Sequence, residues 1–232
     1  MKYLILIIIT FLFTSFIKIE MGCYGEFRVI KMQTIYDDMI NDKVLTSSAC
    51  LFQIPFDGRV IPFKKVNDGI VSLNSKNLIY DSNSQLYIDS VRRELSLNTI
   101  SWSLNNSTLE NFSYTCSKQI PNTISPNTIP STISRTNDYI IDFGGEIDAD
   151  RIEFNIVDSI KRVTSPWFKK VSGHINTLTI PYSSYSSLQP VGEMFAILAL
   201  INTETHTING KKFKFENRLH IKKKINFNVN TQ

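Results

Sequence analysis

Eight consecutive apolar residues, MFAILALI at 194–201, constrain this chain more than any other stretch. The run is too short to span a bilayer and reads as a strand buried on both faces. Such a strand needs cover on both sides, and the residues after it supply some. Asn209-Gly210 is a two-residue turn signal. Beyond it the odd positions Leu219, Ile221, Ile225, Phe227 and Val229 are apolar, and the even positions His220, Lys222, Lys224, Asn226 and Asn228 are polar. This alternation predicts a half-buried strand with a wetted face, at a sandwich edge beside the buried strand.

The length of 232 residues leaves room for one large β domain or two small ones, and a hydrophobic content of 42% suffices for a buried core. Much of the positive charge is local: Lys211, Lys212, Lys214, Arg218, Lys222, Lys223 and Lys224 crowd the last strands of a chain with net charge +4. That distribution implies no global nucleic-acid role. Three cysteines, Cys23, Cys50 and Cys116, are too few for a disulfide scaffold and lack the paired spacing of a zinc site.

The N-terminus has the form of an export signal over 1–22: Met1-Lys2, an apolar run at 3–17, then the charges of Lys18 and Glu20. Gly22-Cys23 follows at the distance of a bacterial lipoprotein processing site, which makes Cys23 a candidate for acylation. Glu20 and Met21 depart from the residues usual there, so simple cleavage near Thr14-Ser15 or later stays open, as does an uncleaved signal anchor. In an oxidising compartment Cys50 and Cys116 are candidates for one bridge, or for two buried thiols packed as small hydrophobes.

Short apolar runs at 49–54, 60–63, 70–73 and 86–88, split by Pro55, Asp57-Gly58, Pro62 and Asp68-Gly69, predict a small β-rich region over 23–97, with a short helix near 34–40. A second β region, 98–232, opens with Ile100, Trp102 and Leu104 on one strand face, then Phe112 and Tyr114. The tract at 121–134, PNTISPNTIPSTIS, cannot be a central strand; it predicts an extended crossing between sheets with its isoleucines dipping into the core. Strands at 139–143, ended by Gly144-Gly145, and at 151–157, with Ile152, Phe154 and Ile156 inward, complete about seven strands. The class is all-β, and the arrangement expected for 98–232 is an immunoglobulin-like antiparallel β-sandwich. It is not antibody-type, because Trp102 precedes Cys116 and the strand at 194–201 has no cysteine.

In that order the exported N-terminus, the strand at 49–54, the tryptophan strand, Phe112-Ser113-Tyr114, the Pro-rich crossing, Asp142-Phe143-Gly144-Gly145 and the Asn209-Gly210-Lys211-Lys212 hairpin are similar to a loose group of bacterial envelope proteins with immunoglobulin-like β-sandwiches. The resemblance spans about 47–229 and implies export and a sandwich. It brings no activity or catalytic residue with it.

Three constellations are candidate sites. Asp142, Glu146, Asp148 and Asp150 around Gly144-Gly145 are the oxygen ligands a calcium ion would take, or a solvated turn. Trp167 after Pro166, with Tyr182 and Tyr185 in a Ser-rich loop, would stack on a glycan or protein ligand if exposed on one face, or anchor loops if buried. Lys211, Lys212, Lys214, Lys222 and Lys224 would meet anionic glycans or headgroups, or guard a strand edge. His174, His206 and His220 are scattered, and no Gly-x-Ser-x-Gly elbow or Gly-rich phosphate loop occurs. The expectation is a non-enzymatic, membrane-attached envelope protein serving as a binding or structural module, with a carbohydrate-binding or adhesion domain and an exported hydrolase as rivals.

Overall fold

A computed structural model describes residues 23–36, 39–53, 61–62, 69–89, 99–105, 111–134, 136–160, 165–170, 175–186, 188 and 192–228. Residues 1–22, His174 and Val229 lie outside this set, as do the side chains of Cys23 and Trp167. The strands are β1 (Cys23–Tyr36), β2 (Met39–Gln53), β3 (Ile61–Pro62), β4 (Ile70–Leu73), β5 (Lys76–Asn77), β6 (Ile79–Asp81), β7 (Leu86–Ile88) and β8 (Ser101–Asn105). They continue as β9 (Phe112–Thr115), β10 (Thr132–Ser134), β11 (Tyr139–Ile147), β12 (Arg151–Asp158), β13 (Ser165–Lys170), β14 (Ile175–Ile180), β15 (Met194–Ile208) and β16 (Lys211–Asn228). Every described element longer than three residues is a strand, so the protein is all-β. No helix among the described residues is long and apolar enough to cross a membrane.

One long sheet carries the structure, in the order β13-β12-β15-β16-β1-β2-β7-β6, with β10 beside β16 and β3 beside β2. The buried strand foreseen at 194–201 is the first part of β15, between β12 and β16. The Asn209-Gly210 turn joins β15 to β16, with φ of 50° and 79°; two left-handed residues match the twist of a tight hairpin. β16 is not an edge. It runs for 18 residues with antiparallel β15 on one side and parallel β1 on the other, in a register from Cys23 opposite Lys212 to Ile35 opposite Lys223. The short helix near 34–40 is instead the end of β1 and the start of β2, because Thr34 and Ile35 join the sheet opposite Asp42 and Ile40.

The boundary at 97/98 does not separate two sheets. β1 and β2 lie in one sheet with β15 and β16, and β4 pairs with β8 across that boundary. Two smaller antiparallel sheets, β11-β14 and β5-β4-β8-β9, complete the fold.

Alternation places both small sheets on one face of the long sheet. Odd residues of β16 supply Phe213 and Phe215 to one core and Leu219, Ile221 and Ile225 to the other. In the first core Phe27 stacks on Phe215 at 5.2 Å and meets the edge of Trp102 at 5.2 Å, with Ile100 and Leu104 of the small sheet beside them. In the second, Ile152, Phe154, Ala196, Leu198 and Leu200 pack against Ile141, Leu178 and Ile180.

The Pro-rich tract crosses this face over the second core, with its isoleucines inward as its composition predicts: Ile129 and Ile133 are fully buried there and β10 pairs in parallel with the end of β16. Prolines contribute no N–H, so polar side chains of the long sheet hold the crossing. Asn202 Nδ2 donates to Gln119 O at 2.9 Å, and Asn217 Nδ2 donates to Lys118 O at 2.6 Å. Lys223 Nζ, buried at an odd position where an apolar residue would otherwise stand, donates to Pro126 O at 2.9 Å and Ile129 O at 2.5 Å. Replacing Lys223 by Met leaves those carbonyls buried without that donor, and we expect a loss of about 2–4 kcal/mol in urea unfolding with far-UV circular dichroism unchanged. A loss below about 0.5 kcal/mol would show that the lysine does not hold the crossing.

Candidate functional site

The other face of the long sheet is built from the even residues of β1, β2 and β16 and the odd residues of β12 and β15. The wetted face expected for β16 is wet only toward its end, where Lys222 and Lys224 are part-exposed and Asn226 is exposed; His220 is buried at 2%, as are Glu216 and Arg218 before it at 2% and 1%. Pairing explains the composition. Arg28 stands opposite Glu216 and Glu26 opposite Lys214 across the β1–β16 seam, so unlike charges meet in register.

Glu216 is the hub. Its carboxylate accepts from Arg28 Nε at 2.9 Å and Arg218 Nε at 2.9 Å, takes a second, shorter bond from Arg218 Nη2, and lies 3.1 Å from Lys214 Nζ and 3.3 Å from Arg151 Nη2. Glu26 pairs with Arg28 at 3.3 Å and Glu153 with Arg151 at 2.8 Å. Burial works against the charge of Glu216, but Arg218, Arg28, Lys214 and Arg151 hold the carboxyl well below the usual range. Burial raises Glu26 and lowers Arg218. His220 is held down to about 3, by burial first and then by Arg218 and Arg28, so its imidazole is neutral near pH 7.

Beside the hub lies a low point in the sheet surface. Glu153, Ala199 and His220 share one row across β12, β15 and β16, so the backbone positions of the two long residues lie about 9.5 Å apart with a methyl group between them. Around that floor Glu153 Oε2, Arg218 Nη1, Asn155 Oδ1 and both ring nitrogens of His220 make no hydrogen bond among the described residues, although Arg218 Nη1 and Glu153 Oε2 face each other as an ion pair at 3.9 Å. Arg151, Asn155 and Ile197 on the rim are part-exposed, whereas the floor is buried. Acceptors, a guanidinium donor and an imidazole brought together are the groups that hydrogen-bond a ligand with several hydroxyl groups.

The residues singled out in the sequence stand elsewhere. Asp142 Oδ1 accepts from Gly144 N at 2.9 Å and closes a turn, so β11 continues through Gly144-Gly145 to Ile147. Asp150 accepts from Lys118 Nζ at 2.5 Å and Thr203 N at 2.7 Å. Glu146 and Asp148 are exposed, and no three His, Cys, Asp or Glu side chains among the described residues form a metal-sized group. The ring platform is not formed as expected: Tyr182 is 47% exposed, but Tyr185 is buried in the core with its hydroxyl donating to Asn137 O at 2.5 Å. Trp167 takes a backbone position opposite Phe154.

Cys50 and Cys116 are free rather than bridged. Cys50 sits opposite Glu26 on the charged face and Cys116 belongs to the core on the other face, so the sheet stands between them. Burial pushes both thiols up to about 12. Cys23 opens β1 opposite Lys212. Of the basic stripe, Lys214 is buried in the hub, Lys222 sits 4.0 Å over the Phe195 ring, Lys224 pairs with Glu193 at 2.6 Å at the surface, and Lys211 and Lys212 are part-exposed.

The hub was legible only as a pattern of opposite charges two residues apart, Glu26-x-Arg28 and Lys214-x-Glu216-x-Arg218, which suits a cross-strand network better than a solvated face. No protein-family model, curated protein or solved structure matches this chain.

His220 gives the hub a pH signature. Its folded pKa lies below the ordinary 6.5, so the unfolded chain binds the extra proton between pH 6.5 and about 3. The stability conferred by a neutral His220 is therefore complete above pH 6.5 and declines as pH falls toward 3. Urea midpoints at pH 7.5, 6 and 5 should fall more steeply for the wild type than for His220→Phe, and parallel profiles would refute the assignment.

Proposed function

We propose that the protein is a non-enzymatic binding module of the bacterial cell envelope, exported by residues 1–22 and attached to the membrane at its N-terminus, through lipid on Cys23 or a retained signal. Its ligand is a polyhydroxylated compound of the carbohydrate class. The observation that carries this reading is the set of polar atoms on Glu153, Asn155, Arg218 and His220 around Ala199 that make no hydrogen bond among the described residues, two of them facing each other as a 3.9 Å ion pair. Sugar hydroxyls both donate and accept, so one ligand can meet acceptors on Glu153 and Asn155 together with a donor on Arg218.

The layered packing of β11-β14 over β12-β15-β16 supports an immunoglobulin-like reading of the second half of the chain, with the site on the outer face of a rigid sheet. A binding role is favoured over hydrolysis because Ser117 Oγ donates to Glu204 at 3.0 Å and makes no bond to His206 among the described residues, so no serine–histidine relay is assembled there.

Asn155→Ala tests the reading cleanly, because it removes an acceptor that makes no hydrogen bond among the described residues. On an array of neutral hexose and uronic-acid glycans, the full chain should bind saturably, and the variant should bind about tenfold more weakly at an unchanged thermal midpoint. Absence of glycan binding, or equal binding by the variant, would overturn the proposal.

Attachment is tested by intact mass of membrane-extracted protein beside a Cys23→Ala variant. An acyl increment on a chain beginning at Cys23, absent from the variant, is expected for the lipid anchor. An unmodified chain starting elsewhere would exclude it.

A further inference from the structure

On the opposite face of β15 from Ala199, three side chains outside the proposed glycan site converge. Glu204 and His206 are two residues apart on one strand, so both point toward the small sheet, where Tyr114 of β9 meets them. Tyr114 Oη donates to Glu204 Oε2 at 2.6 Å and is also in hydrogen-bond contact with His206 Nε2, which lies 3.5 Å from the same carboxylate oxygen. The Tyr114 ring lies 4.3 Å from the His206 ring and 4.4 Å from Phe215, which fixes its approach.

We propose that Tyr114 Oη, Glu204 Oε2 and His206 Nε2 bind a divalent transition-metal ion of the copper and zinc class. Two oxygens and an imidazole nitrogen already converge on one point, and an ion about 2.0–2.2 Å from each requires them to separate only to about 3–3.5 Å. The exposed member can make that adjustment: the His206 side chain is 45% exposed, which also leaves a coordination position open to solvent. The carboxylate, 5% exposed, is fixed at both oxygens: Ser117 N at 3.1 Å and Ser117 Oγ at 3.0 Å donate to the same Oε2, and Lys118 N at 2.5 Å donates to Oε1. Such outer bonds orient a ligand before the ion arrives.

Binding exchanges one proton for one ion. The Tyr114 O–H bond breaks and its proton leaves to solvent, the proton that His206 Nε2 shares with Tyr114 Oη passes to Nδ1 through solvent, and the phenolate oxygen, the freed Nε2 lone pair and the Glu204 Oε2 lone pair turn to the metal. No electron is transferred. An imidazole nitrogen with two oxygens favours copper(II), at the top of the divalent affinity order, over a hard ion such as calcium, which takes oxygen ligands.

The test is titration of the full chain with copper(II), followed by electron paramagnetic resonance, visible absorption and proton release. One tight equivalent is expected, with nitrogen splitting from a single imidazole, a phenolate-to-copper charge-transfer band and one proton released per ion. His206→Gln should weaken binding by about tenfold or more and abolish the nitrogen splitting, and Tyr114→Phe should abolish the band and the proton release. Because His206 is exposed, its variant keeps the test decisive if Tyr114→Phe does not fold. Failure to bind one equivalent, or spectra unchanged in the variants that fold, would overturn the site.

Discussion

The parallel pairing of β1 with β16 is the constraint on which the rest of the structure depends. It brings the first described strand beside the last and makes a single sheet of elements from both ends of the chain. A parallel neighbour cannot be reached through a tight turn, so almost the whole sequence lies in the connection, and the centre of the sheet closes only when β16 is available. Contacts of such sequence separation carry a large closure entropy and favour slow folding.

Register along that seam is specified by both faces at once. A slip of one residue would turn Glu216 and Arg218 toward the apolar cores and Phe215 and Leu219 toward the charged face. The hub itself is weak evidence for stability, since desolvating its ions offsets much of their attraction. Removing Glu216 alone would nevertheless be costly, because Arg28, Arg151, Lys214 and Arg218 would lose their shared carboxylate. We therefore read the network as a device that specifies which strands meet and in what register.

On the opposite face, Asn202, Glu204, Asn217 and Lys223 do for the crossing what a strand ladder cannot do for a proline-rich segment. They satisfy its carbonyls and amides from beneath. The same requirement places Glu204 where Tyr114 and His206 also converge. Structural anchoring and candidate metal chemistry thus share one carboxylate, whereas the candidate glycan site shares none of its residues and lies on the other side of the sheet.

Local pattern was enough to read the all-β class, the buried strand at 194–201, the Asn209-Gly210 hairpin, the inward faces of β8 and β12, and the crossing tract with its buried isoleucines. Each depends on neighbours a few residues away: alternation, turn chemistry and the missing proline N–H. Pattern could not say that β16 is central, that Tyr185 is buried, that Cys50 and Cys116 stand on opposite faces, or that Asp142 and Asp150 serve a turn and an ion pair. A polar strand face looks alike whether it meets water or another strand's opposite charges, and only the parallel placement of β1, set by contacts nearly 190 residues apart such as Arg28 with Glu216, decides between them. The sequence by itself determined which residues form strands and where they turn. The tertiary structure alone decided which polar residues are buried together, because that depends on strand order and register across the whole chain.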